Sequence, residues 1–146
     1  MILTEEIIQY IDRSVLCWLA TSSPDGMPNV SPKEVFTHFN NDSLIIANIA
    51  SPQSARNIKG NSLVAVSFID VFIQKGYQVK GKATLVKRGD STFSILAAPL
   101  LKITQGKYPF SSIFYIEPQE TKAIVAPSYR LFPEISEAKK LSLIHI

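Results

Sequence analysis

"TSSPDGMPNVSPKEVF", residues 21–36, decides how this chain folds. Ser23-Pro24-Asp25-Gly26 is the punctuation of a tight turn between two strands. The residues that follow read as the returning strand, yet they carry Pro28, Pro32 and the adjacent charges Lys33 and Glu34. Proline cannot donate to a β-ladder and is confined to strand starts, edges and bulges. Two readings fit. Either the prolines open the strand locally and aim Ser31 and Lys33 at a ligand, or Pro32 marks a sheet edge and Lys33 is a solvated gatekeeper.

Outward from this stretch, strands are expected near 15–21, 28–37, 43–49, 62–70 and 76–87. The Pro-Asp-Gly turn joins the first two and "FNND" (39–42) the next two. "SSIFYIE" (111–117) and "TKAIVAP" (121–127) read as a closing pair of strands around "PQE". A short helix precedes them all: in "LTEEIIQYIDR" (3–13) Thr4 can cap, Glu5 and Glu6 suit the first turn, and Ile7, Ile8 and Ile11 share a face. "ASPQSARNIKGN" (50–61) predicts a helix with Ser51 as N-cap, Pro52 at the first helical position and Gly60 past its end. "DSTFSILAAPLLKITQG" (90–106) predicts another, opened by Asp90 or Ser91 and kinked or split by Pro99. The tail 134–146 carries no clear pattern. Six or seven strands on hairpin-length turns predict a mainly β fold. The expectation is an antiparallel β-barrel with a few flanking helices, one domain over residues 1–146.

The chain has 146 residues, 46% hydrophobic and 18% charged, which is a globular balance with length enough for a sizeable core. No apolar run approaches the ~18–20 residues of a membrane span. The acidic start lacks the basic region of a signal peptide, so a cytoplasmic protein without a membrane partner is expected. Net charge is +3, but the fifteen Lys and Arg are scattered, so no nucleic-acid footprint is established. His38 and His145 lie far apart and Cys17 is the single cysteine, which leaves no metal-ligand pattern. In "VLCWLA" (15–20), Cys17 reads as a small buried hydrophobe. Trp18 and the Tyr108, Phe110, Phe114 and Tyr115 cluster read as core or interface packing, and His38, beside a turn, as solvated.

One constellation can carry chemistry. If strands 28–37 and 43–49 are hairpin neighbours, the start of one meets the end of the other. Ser31 and Lys33 then approach Asn48, Ser51, Ser54 and Arg56 at a helix N-terminus. Free N–H groups, hydroxyls, a lysine and an arginine fork there make a cradle for phosphate. No acid–base pair or nucleophile arrangement stands out, so no catalytic residue is assigned.

In order and spacing, four features resemble the pyridoxamine 5'-phosphate oxidase-like, FMN-binding split barrels. They are the N-terminal helix, "VLCWLATSSPDGMPNVSPKEVF", "SLIIANI" leading into "ASPQSARNIKGNSLVAVSF", and "YQVKGKATLV". The resemblance covers residues 1 to about 88 and continues in outline. It implies a homodimer that binds FMN, with the flavin ring at the dimer interface. The implied activity is oxidoreductase chemistry between a donor such as reduced nicotinamide and a small molecule. Residue by residue, Ser51, Ser54, Arg56 and Asn57 match the family's strand–helix phosphate junction, and Ser31 and Lys33 its neighbouring strand. Asn48 lies beside them, and Gln78 matches a position that approaches the ring. Many members carry a lysine where this chain has Gln53 or Ser54, which leaves Lys33 as the nearest replacement cation. Two other classes compete: a flavin- or haem-related binding protein without turnover, and an oligonucleotide-binding barrel. The second needs exposed aromatics among basic residues, whereas these aromatics lie in apolar runs.

Overall fold

The computed structural model describes residues 2–142. β1 (Cys17–Ser22) and β2 (Pro28–Lys33) form the hairpin that the turn predicts, with Gly26 at φ 91°. Their register is unbroken, from Ser22 opposite Pro28 to Cys17 opposite Lys33. The expected strand 28–37 is in fact two strands. After Glu34 and Val35 the chain starts β3 (Phe36–Phe39), which pairs with β4 (Ser43–Ala47) around Asn40 and Asn41, both at positive φ.

With β5 (Leu63–Asp70), β6 (Lys75–Lys87) and β7 (Ser112–Val125), these strands make one antiparallel sheet in the order β2-β1-β5-β6-β7-β4-β3. β2 and β3 are therefore the two outer strands, although only two residues separate them. Such a connection requires the sheet to curl until its edges meet, and Val35 O accepts from Ala47 N at 3.0 Å, which carries the β3–β4 ladder back towards the end of β2. This corrects the expected hairpin between β2 and the strand before the second helix. It also settles Pro32. β2 pairs only with β1 and has no bulge, so the proline marks an edge rather than an opened strand.

Register assigns side chains to faces, because successive residues of a strand alternate. Ser31, Leu19, Val66 and Val79 lie in one row across β2, β1, β5 and β6, and the last three are fully buried. This is the barrel interior. α1 (Glu5–Arg13) closes it, with Ile7, Tyr10 and Ile11 buried and Thr4 Oγ1 accepting from Ile7 N at 3.2 Å. On the other side of β4 and β7, α3 (Phe93–Thr104) covers a second core with Leu96, Ala97 and Leu100. α3 runs through Pro99 as one helix, so the split, one of the two expected outcomes, does not occur. One lost backbone hydrogen bond is outweighed by three buried side chains within a turn of it.

The expected closing pair of strands is also corrected, since β7 is a single strand paired with β6 throughout. Pro118 faces Gly81 and Glu120 faces Lys80, which leaves Gln119 as the extra residue of a bulge. A Cβ at Gly81 would stand 2.1 Å from Glu117 O, so only glycine allows the strands this approach. The tail forms α4 (Pro127–Leu131) and α5 (Glu137–Ser142), and Tyr129 donates to Ile73 O at 2.6 Å. His145 lies outside the described residues. His38 is half-buried rather than solvated, and its Nδ1 has no partner among the described residues.

Cys17 is buried as expected. Desolvation pushes its thiol pKa up to about 12, against a smaller lowering by Lys33. Native protein at neutral pH should therefore resist iodoacetamide and be alkylated fully once unfolded, as intact mass will show.

Candidate functional site

α2 (Pro52–Gly60) follows β4 through Asn48–Ser51 and packs on β1 and β2, which brings its first turn over the end of β2. Ser31 and Lys33 are two apart on β2 and so share the interior face. Lys33 is only 5% exposed. Its Nζ donates to Ser31 Oγ at 2.6 Å and to Ser51 Oγ, and Ser31 and Ser54 share a hydroxyl–hydroxyl bond at 3.2 Å. No carboxylate lies within ion-pair distance of Lys33 among the described residues. Burial lowers the Lys33 pKa, and the nearby Cys17 opposes this weakly. The lysine is neither a solvated gatekeeper nor part of an ion pair.

Ser51 stands at the N-cap position but makes no side-chain cap bond; its hydroxyl accepts from Lys33 Nζ and donates to Ile49 O at 3.5 Å. Ala50, just before it, adopts φ 52°, an unusual backbone for alanine. Ala55 N bonds Ser51 O, while the N–H groups of Gln53 and Ser54 find no acceptor among the described residues. One cation, three hydroxyls and two free N–H groups thus converge at one point.

The other expected residues are placed differently. Arg56 is exposed and donates to Gln53 Oε1 at 2.7 Å, so it does not join the cradle. Asn57 is buried with its amide donating to Thr21 Oγ1 at 2.9 Å, which ties α2 to β1 instead of facing a ligand. Asn48 Nδ2 donates to Ser112 Oγ at 2.9 Å, and its Oδ1 is buried without a partner among the described residues. Gln78 lies in the row Pro32–Trp18–Ser67–Gln78, on the outer face of the sheet. It cannot reach the cradle, which opens on the interior face. Sequence reading missed a pocket of about 230 Å³ beside Lys33, walled by Val35, Ala47, Ile49 and Tyr108. Nothing local marks these residues, since they meet only when the sheet edges close. Among the described residues no cluster could hold a metal ion, and no helix is long and apolar enough to cross a membrane.

A curled seven-stranded antiparallel sheet with flanking helices defines a mainly β, split-barrel protein. The chain belongs to the pyridoxamine 5'-phosphate oxidase family, whose model matches residues 3–126. No protein of curated function matches it. Among solved structures, HupZ of Group A Streptococcus is 22% identical, with 85% of this chain and 95% of that one covered at a TM-score of 0.72. An FMN-binding protein from Syntrophomonas wolfei is 15% identical over 82% of this chain and 84% of that one, TM-score 0.68. HutZ, the heme storage protein from Vibrio cholerae, is 22% identical over 86% and 95%, TM-score 0.66. At these identities the likeness is one of fold.

Proposed function

We propose that the protein is a flavoprotein that binds FMN and uses it for electron or hydride transfer between a donor such as reduced nicotinamide and a small molecule. The observation that carries this reading is Lys33, a buried cation with no counter-charge beside it. A buried, unpaired ammonium is costly, and a bound phosphate removes that cost. Ser31, Ser51 and Ser54 supply further hydrogen bonds, and the uncapped first turn of α2 supplies N–H groups and positive dipole. These residues fit a phosphate. Asn48 Oδ1 offers an unused acceptor to a ring N–H beside the cradle. When bound, FMN supplies the redox chemistry, while this chain's residues hold and orient it. The visible spectrum of purified protein titrated with FMN tests the reading directly. Flavin absorption that co-purifies or saturates supports it, and a Soret band in place of flavin bands assigns the haem alternative.

Gln78 and Trp18 belong in this reading to a second copy's site. The outer face carries Trp18 at 48% and Val30 at 58% exposure, an apolar surface suited to covering. A cytoplasmic homodimer over that face would bring Gln78 to the ring of the flavin held by its partner. Light scattering should give twice the 16.2 kDa chain mass, and Trp18→Glu should shift the protein towards monomer.

The pH dependence has a definite sign. Burial lowers the Lys33 pKa in the free protein, and a phosphate at hydrogen-bond distance raises it again. Binding therefore takes up a proton once pH exceeds the free-protein value. FMN affinity should be flat below that lowered pKa and decline as pH rises through it. Riboflavin affinity should follow no such decline. Fluorescence quenching of both flavins in a pH series run upward from neutral, where the FMN phosphate is already ionised, checks this.

A further inference from the structure

We infer that Ser51 and Lys33 form a serine–lysine dyad able to hydrolyse short-chain carboxylic esters when the cradle holds no phosphate. The inference uses the same junction as the flavin reading but does not require flavin. A serine nucleophile needs a base that can take its proton, and a lysine serves when it is kept out of water and away from carboxylates. Lys33 meets both conditions, and its Nζ is hydrogen-bonded to Ser51 Oγ. The lowered pKa of this lysine supports the same role.

The positions of the two groups differ in the way the chemistry requires. Ser51 is half-exposed, so a substrate can reach it, whereas Lys33 behind it is buried. The serine stands where strand gives way to helix, after Ala50 at φ 52°, and is released from capping. The N–H groups of Gln53 and Ser54 have no acceptor among the described residues, and donors of this type stabilise an oxyanion. Beside Lys33 lies a pocket of about 230 Å³, a size for a short acyl chain, lined by Pro32, Glu34, Val35, Ala47, Ile49 and Tyr108.

The step balances without a co-reactant other than water. Neutral Lys33 Nζ takes the Ser51 hydroxyl proton as Oγ bonds to the ester carbonyl carbon, and the carbonyl electron pair moves onto oxygen. Collapse breaks the bond to the alcohol oxygen, which leaves with the proton from Lys33. Water then adds to acyl-Ser51 by the same proton route, and the acid departs.

The test uses cofactor-free full-length protein, an alkyl fluorophosphonate and p-nitrophenyl butyrate. A single phosphonyl adduct at Ser51 is expected by peptide mass spectrometry, absent in Ser51→Ala and formed at least tenfold more slowly in Lys33→Met. Labelling rate should rise with pH as Lys33 loses its proton. Ester hydrolysis should fall to the buffer rate in Ser51→Ala. If Lys33→Met does not fold, the pH profile and Ser51→Ala decide. No adduct at Ser51, an adduct formed at the same rate without Lys33, or hydrolysis that survives in Ser51→Ala overturns the dyad. An FMN titration of the same preparation separates the two proposals. FMN binding without labelling overturns the dyad alone, and labelling without FMN binding overturns the flavin reading alone.

Discussion

Replacing Lys33 by alanine should weaken the proposed FMN binding by about ten- to a hundredfold and leave riboflavin affinity unchanged. Lys33 is the only cation whose side chain joins the cradle among the described residues. A charge-assisted hydrogen bond to phosphate contributes ~1.5–3 kcal/mol, and each 1.4 kcal/mol or so is tenfold in affinity. Riboflavin has no phosphate and so does not sense the lysine. Arg56→Ala is the matched control, because its guanidinium is exposed and turned to Gln53. Its sequence position suggests an equal loss, whereas its placement predicts a small one from long-range charge alone. Titrating both flavins against both variants measures the difference. Parent-like FMN affinity in Lys33→Ala would remove the cradle assignment.

Phe114→Ala lowers folding stability by about 3–5 kcal/mol, the cost of emptying a large aromatic site in a closed core. Phe114 is fully buried in the barrel core and lies in one row with Ile46 on β4 and Leu85 on β6. Its removal leaves a void that two paired strands cannot collapse into without breaking register. Against a typical total of ~5–15 kcal/mol, this places the variant near its folding limit. The urea midpoint should fall with little change in slope. Phe132→Ala, at an exposed position beyond α4, should stay within about 0.5 kcal/mol of the parent. Equal loss in both variants would contradict the packing described.

The sequence by itself determined the features that neighbours along the chain decide. Pro24, Asp25 and Gly26 make their turn wherever the strands go. Thr4 caps α1 through a residue three positions away, and Pro52 suits only a first helical turn. Cys17 is buried as its apolar surroundings imply. The family was legible for the same reason, since order and spacing of such local signals carry it.

What only the tertiary structure decided depends on strand partners distant in sequence. Nothing local to 28–37 says that its halves join opposite edges of a sheet, and nothing in "PQE" says that Gly81 across the ladder will absorb Pro118. Gln78 lies three strands from β2, and its face follows from the parity of three successive registers. Ser51 has the residue type of a cap, yet its hydroxyl bonds a lysine eighteen positions away, because closing the sheet buries Lys33 beside it. Closure removes that ammonium from water and leaves Ser31 of β2 and Ser51, just before α2, as its hydrogen-bond partners. The candidate site is therefore a product of the curl, although Ser31, Lys33, Ser51 and Ser54 could be named from the sequence.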